Sequence, residues 1–170
     1  IVAAAAQRWR VAPSEITVTK GVVAHPASGR KTTFGRLAEA AAAGLGAPLA
    51  RSEGEGLYAL QARLRQVMWE HVGLIRAGEG LKAALTEIEE IDERLDGVAV
   101  RGGSAYNLAW QDWLNLRSQA TTAWLIARSA LERTESRGSH YRRDFPRPAL
   151  EAVAVLAGVA DGVGPKVWTE

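Results

Sequence analysis

The sequence predicts a mainly α fold: an antiparallel three-helix bundle, preceded by a small α/β appendage and followed by a short β-prone tail. Three observations predict it. Apolar residues at helical spacing run through residues 57–75 and again through 81–95. A third, longer stripe repeats at steps of four and three from Ala109 to Ala130. The breaks between the stripes are short and hold glycine, and short connections make consecutive helices up-down-up neighbours.

The first segment, residues 1–43, reads as helix, hairpin, helix. Ala3 to Trp9 is Ala-rich and is stopped by Pro13. Glu15 to Thr19 places Ile16 and Val18 among polar neighbours, as a strand does. Lys20-Gly21 is a turn signal, Val22 to Ala24 is the returning strand, and Pro26 to Lys31 is expected as loop. Thr33 can cap a helix from Phe34 through Ala43. Residues 44–56 hold four glycines and Pro48, and read as a linker.

Residues 57–146 form the predicted bundle. Leu57, Leu60, Leu64, Val67 (or Met68) and His71 begin its first helix, with Val72, Leu74 and Ile75 extending the apolar face. Gly78-Glu79-Gly80 is read as the break. Leu81, Ala84, Leu85, Ile88, Ile91 and Leu95 form the second stripe, with Glu87, Glu89, Glu90 and Asp92 outside it. After Gly97–Gly103, the third stripe is Ala109, Trp113, Leu116, Ala120, Ala123, Ala127 and Ala130, whose 3.5-residue period suits a left-handed bundle. Small alanines beside Trp110, Trp113 and Trp124 predict large-into-small packing. Residues 147–170 are expected as a truncated β-prone tail, with a turn at Asp161-Gly162 and Gly164-Pro165 before Val167-Trp168-Thr169.

Composition removes several function classes. The absence of cysteine excludes disulfides, thiolate zinc sites and iron–sulfur ligation by this chain. Basic and acidic side chains nearly balance, at 21 against 19, and no basic tail or aromatic interleaving is present, so no nucleic-acid partner is expected. Every apolar stretch is far shorter than the roughly 20 residues a membrane span needs. The start has no basic region before its apolar run and soon meets Arg8 and Arg10, which makes a poor signal peptide. With no initiator Met and an end in mid-pattern at Glu170, the chain reads as a fragment.

Two runs carry a resemblance. Val67-Met68-Trp69-Glu70-His71-Val72-Gly73-Leu74-Ile75-Arg76 is similar to an "MW-x-x-VG-(I/L)-x-R" run, and Glu135-Ser136-Arg137-Gly138-Ser139-His140-Tyr141-Arg142-Arg143-Asp144-Phe145-Pro146 to "E-S-R-G-A-H-x-R-x-D-(F/Y)-P". Asn115-Leu116-Arg117 resembles an "E-L-R-N" helix, with Asn115 at a position where an acidic residue is common. On these runs, residues from about Ala47 to Glu170 resemble the C-terminal domain of the succinate dehydrogenase, fumarate reductase and L-aspartate oxidase flavoproteins. The resemblance implies a domain that packs on an FAD-binding domain and, in multi-subunit members, helps contact an iron–sulfur subunit. It implies FAD in the full-length protein and none bound by this chain, because the "G-A-N-R-L-x-G-N" segment and any Gly-rich dinucleotide fingerprint are absent. No catalytic, cofactor-binding or metal residue is carried over. The implied location is the cytoplasm or, through partners, the cytoplasmic face of the inner membrane.

The first block differs. Ala4-Ala5-Ala6-Gln7-Arg8-Trp9, Val11-Ala12-Pro13-Ser14-Glu15-Ile16, Gly21-Val22-Val23 and Ser28-Gly29-Arg30 resemble a piece of the molybdenum-cofactor-binding subunit of the xanthine dehydrogenase and aldehyde oxidase family. Residues 32–41 are ambiguous, since a similar "S-T-V-F-G-x-x-A-G-x-A-A" run occurs in the flavoproteins. The expectation is a hybrid joined near Thr33–Ala43.

The remaining candidates divide between chemistry and architecture. Arg137, His140, Arg142, Arg143 and Asp144 form either an anion or docking cluster, using guanidinium forks and an imidazole, or a post-helix corner held by Arg–Asp and His–backbone bonds. His71 reads as an interface residue on an apolar face and His25 as solvent-facing. Three histidines this far apart make no metal motif. The acidic run Glu87–Glu93 reads as a solvated helix face, the tryptophans as core or docking surface, and the paired glycines as interhelical turns rather than phosphate loops. The function expected is a helical domain of an FAD-dependent oxidoreductase that buttresses and docks, without catalysis of its own. A stand-alone helical interaction module is the second reading and a molybdenum hydroxylase fragment the third.

Overall fold

The computed structural model describes residues 2–159 and 165–169. It divides into two compact units, Ile1–Ala47 with Gly158–Lys166, and Pro48–Ala157 with Val167–Glu170.

In the first unit, helix α1 (Val2–Trp9) leads through a 3-10 turn at Pro13–Glu15 to a three-stranded antiparallel meander, β1 (Thr17–Thr19), β2 (Val22–His25) and β3 (Arg30–Thr33). Lys20 and Gly21 both take left-handed backbone angles, φ 49° and 78°, which match the twist of the two strands they join. The expected loop at Pro26 to Lys31 is instead a 3-10 turn, Pro26–Ser28, followed by β3, whose register sets His25 opposite Arg30 and Val22 opposite Thr33. β3 is polar and largely exposed, so no alternation of apolar residues announces it. Helix α2 (Phe34–Gly46) starts as expected, with Thr33 Oγ1 accepting from Arg36 N. A small core of Ala5, Ala6, Ile16, Val23 and Leu37 holds the unit. His25, expected in solvent, is buried beside it: its ring bridges Ser28 Oγ at 2.6 Å and Glu15 Oε2 at 2.7 Å. These partners lie three and ten residues away, so the imidazole is held between the 3-10 turn that precedes β1 and the one that follows β2.

The expected linker is in fact ordered. Helix α2 runs to Gly46, and a 3-10 turn follows at Ala47–Ala50. In the second unit Pro48 is buried and its carbonyl accepts from Val100 N at 2.8 Å. Glu55 N donates to Gly97 O, and a Cβ on Gly54 would lie 2.3 Å from that same carbonyl. The glycine there permits a close chain crossing rather than a flexible joint.

The bundle consists of α3 (Leu57–Val72), α4 (Gly78–Leu95) and α5 (Leu108–Glu132). Its direction follows from its side-chain pairs. Glu55 and Arg94 tie the start of α3 to the end of α4, Trp113 Nε1–H reaches Leu95 O at 2.9 Å, and Tyr58 Oη–H reaches Asp112 at 3.1 Å. The helices therefore run up, down, up. The predicted stripes are the core: Leu60, Val67, Leu81, Ile88, Ile91, Leu95 and Leu116 are each at most 2% exposed, and Ala120, Ala123, Ala127 and Ala130 are buried along α5. Trp113 is buried, and Trp110 and Trp124 pack against the core from its rim.

Three details differ from expectation. Gly78 and Gly80 are the first turn of α4 rather than a break, the turn coming earlier at Gly73. Leu74 and Ile75 do not extend the apolar face. The helix ends at Val72, and both side chains are exposed, at 81% and 60%. Residues Ile75–Arg76 are a short strand, β4, which pairs in parallel with β5 (Tyr141–Arg142) beyond the bundle. In the tail, β6 (Val155–Val159) and β7 (Pro165–Thr169) form a two-stranded sheet, and the expected turn at Asp161–Gly164 lies outside the described residues. No described helix is long and apolar enough to cross a membrane.

Candidate functional site

Helix α5 ends at Glu132, and an α-helix ends with carbonyls that lack partners. Here they are met by one side chain. Arg142 is 2% exposed, and its Nη1 donates to the carbonyls of Ala130, Leu131 and Arg133 at 3.0, 3.0 and 3.2 Å. Its other edge forms a fork with Asp144, Nε to Oδ1 at 2.8 Å and Nη2 to Oδ2 at 2.6 Å. Asp144 Oδ2 in turn accepts from Gly78 N, the first residue of α4. Thus the cation sits at the negative end of one helix dipole and the carboxylate at the positive end of another. A Cβ on Gly78 would come within 3.0 Å of the Asp144 and Arg142 side-chain ends, so a larger residue there would push the fork aside. The hydrogen bonds from Arg142 hold the Asp144 carboxyl well below the usual carboxylate range. Desolvation opposes them, and the Asp144 and Gly78 amides and the Arg142 charge add to them. The Phe145 ring lies 5.0 Å below the Arg142 guanidinium.

A second knot forms around Glu135, a buried carboxylate. It accepts from Arg133 at 2.7 Å, from Arg137 at 2.9 Å and from Ala149 N at 2.9 Å, and Arg137 also donates to Ala149 O. The Ala149 N–H is the main cause of the lowered Glu135 pKa, with burial opposing it and both arginines assisting. Ser136 Oγ accepts from Arg142 N and donates to Phe145 O, closing the loop on itself.

His140 points elsewhere. Its backbone pairs with Arg137, while its Nδ1 lies 2.8 Å from Nη1 of Arg76, a residue of β4. Guanidinium can only donate, so Nδ1 is the acceptor and the proton of the neutral ring sits on Nε2. Burial lowers the His140 pKa, and the charges of Arg76, Arg133 and Arg142 lower it further. The Arg133 carbonyl opposes them without making a hydrogen bond to Nε2. The Arg143 backbone N–H meets Arg76 O at 2.8 Å, and its side chain is exposed.

The five predicted residues therefore separate. Arg142 and Asp144 join helix ends, Arg137 serves Glu135, Arg143 faces solvent, and His140 turns to Arg76 and Arg133. Sequence reading missed Glu135, Arg76 and Arg133 as members of the site. Both Glu135 and Arg76 lie inside the quoted motif runs, but only the parallel pairing of β4 with β5 brings Arg76 to His140. Among the described residues no group of three or more His, Asp or Glu side chains could hold a metal.

The model of the fumarate reductase flavoprotein C-terminal family matches residues 61–154, which takes in most of the bundle and both knots. The chain belongs to that family. Among the family's curated relatives, the chain is 44% identical over 114 residues to an uncharacterised FAD-dependent oxidoreductase of Methanocaldococcus jannaschii, covering 67% of this chain and 20% of that protein. It is 37% identical over 92 residues to a polypeptide of the CoM/CoB fumarate reductase of Methanothermobacter marburgensis, 54% of this chain and 17% of the relative. The chain thus spans about a fifth of the length of these relatives. The solved structure of Mycobacterium smegmatis Sdh1 in complex with UQ1 superposes with a TM-score of 0.68 at 31% identity, over 81% of this chain and 24% of the other. Adenylylsulfate reductase from Archaeoglobus fulgidus, at 18% identity and TM-score 0.67 over 84% of this chain and 25% of that one, shares the fold. In this chain the region that matches the family is a mainly α bundle closed by the 135–146 segment.

Proposed function

We propose that this chain is the C-terminal helical domain of an FAD-dependent oxidoreductase of the succinate dehydrogenase/fumarate reductase type, acting by support and docking rather than by chemistry of its own. The observation that carries the reading is the family match across residues 61–154, in a chain that spans about a fifth of its relatives. The same match favours this reading over a stand-alone interaction module. The buried Glu135 and Arg142 are both ion-paired inside the domain, with Arg133 and Arg137 and with Asp144, as a buttress requires. Large exposed side chains gather near the end of α3, where Trp69 is 83% exposed beside Leu74 and Ile75, and such apolar exposure marks a contact surface. In this reading that surface meets the FAD-binding domain, an iron–sulfur subunit is a further partner, and the assembly works in the cytoplasm or at the cytoplasmic face of the inner membrane.

The test is coexpression with the flavin-binding portion of the parent protein. The chain should copurify with that portion, and Leu74→Asp with Ile75→Asp should weaken association at least about tenfold. The chain alone should show no stoichiometric flavin absorbance. Unchanged copurification of the double variant, or flavin bound to the isolated chain, would overturn the reading. A molybdenum-hydroxylase origin for residues 1–40 remains a separate proposal resting on residue pattern, and the continuous sequence of the parent gene tests it.

A further inference from the structure

Next to the His140–Arg76 contact, the second unit holds a cavity of about 420 Å³. Arg76, Arg133 and His140 line one part of it, the hydroxyl-bearing Thr122 and Ser129 another, and Leu125 is among its apolar walls. Two features of its cationic side are incomplete. The Nε2 atom of His140 is buried and forms no hydrogen bond, and the tautomer fixed by Arg76 makes it an N–H donor. A buried donor without an acceptor is costly, so such groups mark a place that an acceptor fills. Arg76 is the second. Its Nε serves Val72 O and its Nη1 serves His140, yet among the described residues no carboxylate pairs with it. Burial destabilises its charge, and the opposite charge that would offset this is missing. Arg133 differs, since Glu135 neutralises it.

We infer that this cavity is a binding site for a carboxylate carried on a compact apolar body, with the Arg76 guanidinium and His140 Nε2–H as its donors and Thr122, Ser129 and the aliphatic wall around the remainder. A carboxylate supplies what both donors lack: a negative charge for Arg76 and a lone pair for Nε2. A metal cation is opposed by the neighbouring guanidinium groups. The site is built by this chain's own residues, so it stands or falls separately from the flavoprotein reading.

The experiment is an NMR titration of the isotopically labelled 170-residue chain with sodium hexanoate, following the His140 ring and Arg76 side-chain signals. Sodium chloride and 1-hexanol serve as the charge-only and apolar-only probes. Hexanoate should move both sets of signals saturably, and neither control should reproduce this. Arg76→Gln should weaken binding about tenfold or more, as loss of a charged hydrogen bond does. Ser129→Phe, which fills the cavity while leaving both donors, should abolish binding, and Arg143→Gln should leave it unchanged. Static His140 signals, equal shifts with chloride or hexanol, or full affinity in a folded Arg76→Gln or Ser129→Phe chain would each overturn the site. If Arg76→Gln does not fold, Ser129→Phe decides.

Discussion

The bundle and the N-terminal unit close their chain ends in different ways. In the N-terminal unit, contacts are local: Lys20-Gly21 turns one strand into the next, Thr33 caps the helix that directly follows, and His25 is held by Ser28 and Glu15. In the bundle the closing groups arrive from far along the chain. Asp144 reaches Gly78 across 66 residues and Arg76 meets His140 across 64, while Arg142, itself only 12 residues from Ala130, joins the end of α5 to that same Asp144 carboxylate. A local cap protects one helix end, whereas a distant one also fixes how helices sit against each other. Deletions should therefore be far more damaging in the bundle.

Arg142→Met gives the sharpest test. It strips three carbonyls and Asp144 of their common partner, and breaking a buried pair in this way costs about 4 kcal/mol. Urea unfolding followed by circular dichroism should show a large drop in midpoint. If stability is unchanged, the long-range clasp is decoration. Core truncation comes next. Leu116→Ala, at a fully buried position, should cost about 3 kcal/mol, while Val23→Ala in the smaller core should cost about 1.5 kcal/mol. Hydrogen exchange of the β1–β3 amides reads the second, and a larger loss there than at Leu116 would reverse the comparison.

The helix caps offer a finer test. Asn107 accepts from Trp110 N and donates to the carbonyls of Arg101 and Gly103, so Asn107→Ala should cost about 1–2 kcal/mol. Thr33 makes a single bond of 3.4 Å to Arg36 N, and Thr33→Ala should cost about 0.5 kcal/mol. Equal costs would show that the extra Asn107 bonds contribute nothing.

The pH dependence tests the ionised groups of the bundle. The folded pKa of His140 is lowered, so the unfolded chain takes up its proton first and stability falls as pH drops below the ordinary imidazole value of about 6.5. That loss stops once the folded ring also protonates. Asp144, also lowered, contributes stability above the ordinary carboxylate pKa of about 3.9, and this is lost as pH falls further. His140→Phe should flatten the upper part of the stability–pH curve and Asp144→Asn the lower. A wild-type curve flat from about pH 7 to about pH 3 would contradict both.

The second helical stripe of the bundle was fully legible, because periodicity records which face is buried and every residue of it proved to be core, whereas the first stripe was carried past the helix end to the exposed Leu74 and Ile75. The site was legible only in its local half. Asp144 lies two residues from Arg142, so an ion pair between them could be read from spacing. That Arg76 lies at His140 depends on a two-residue parallel pairing, which leaves no periodic trace. β3 was hidden for a related reason, since its residues are polar and its partner alone makes it a strand. Glu135 looked like one charge among many, and only its burial sets it apart. The glycines near Gly54 read as flexibility because composition cannot distinguish a loose chain from two chains in tight contact.

The clasp at Arg142 and Asp144 has a consequence for the order in which the domain can be completed. Synthesis delivers α3, α4 and α5 before the two residues that join their ends. A nascent chain that has emerged only to Glu132 possesses all three helices, but the last turn of α5 and the first of α4 still lack those partners. Completion waits for about a dozen further residues, which bring the Arg142 guanidinium and the Asp144 carboxylate together. The domain is therefore not complete at its last long helix, and a truncation chosen by helix boundaries would stop just short of the charge pair that joins α4 to α5.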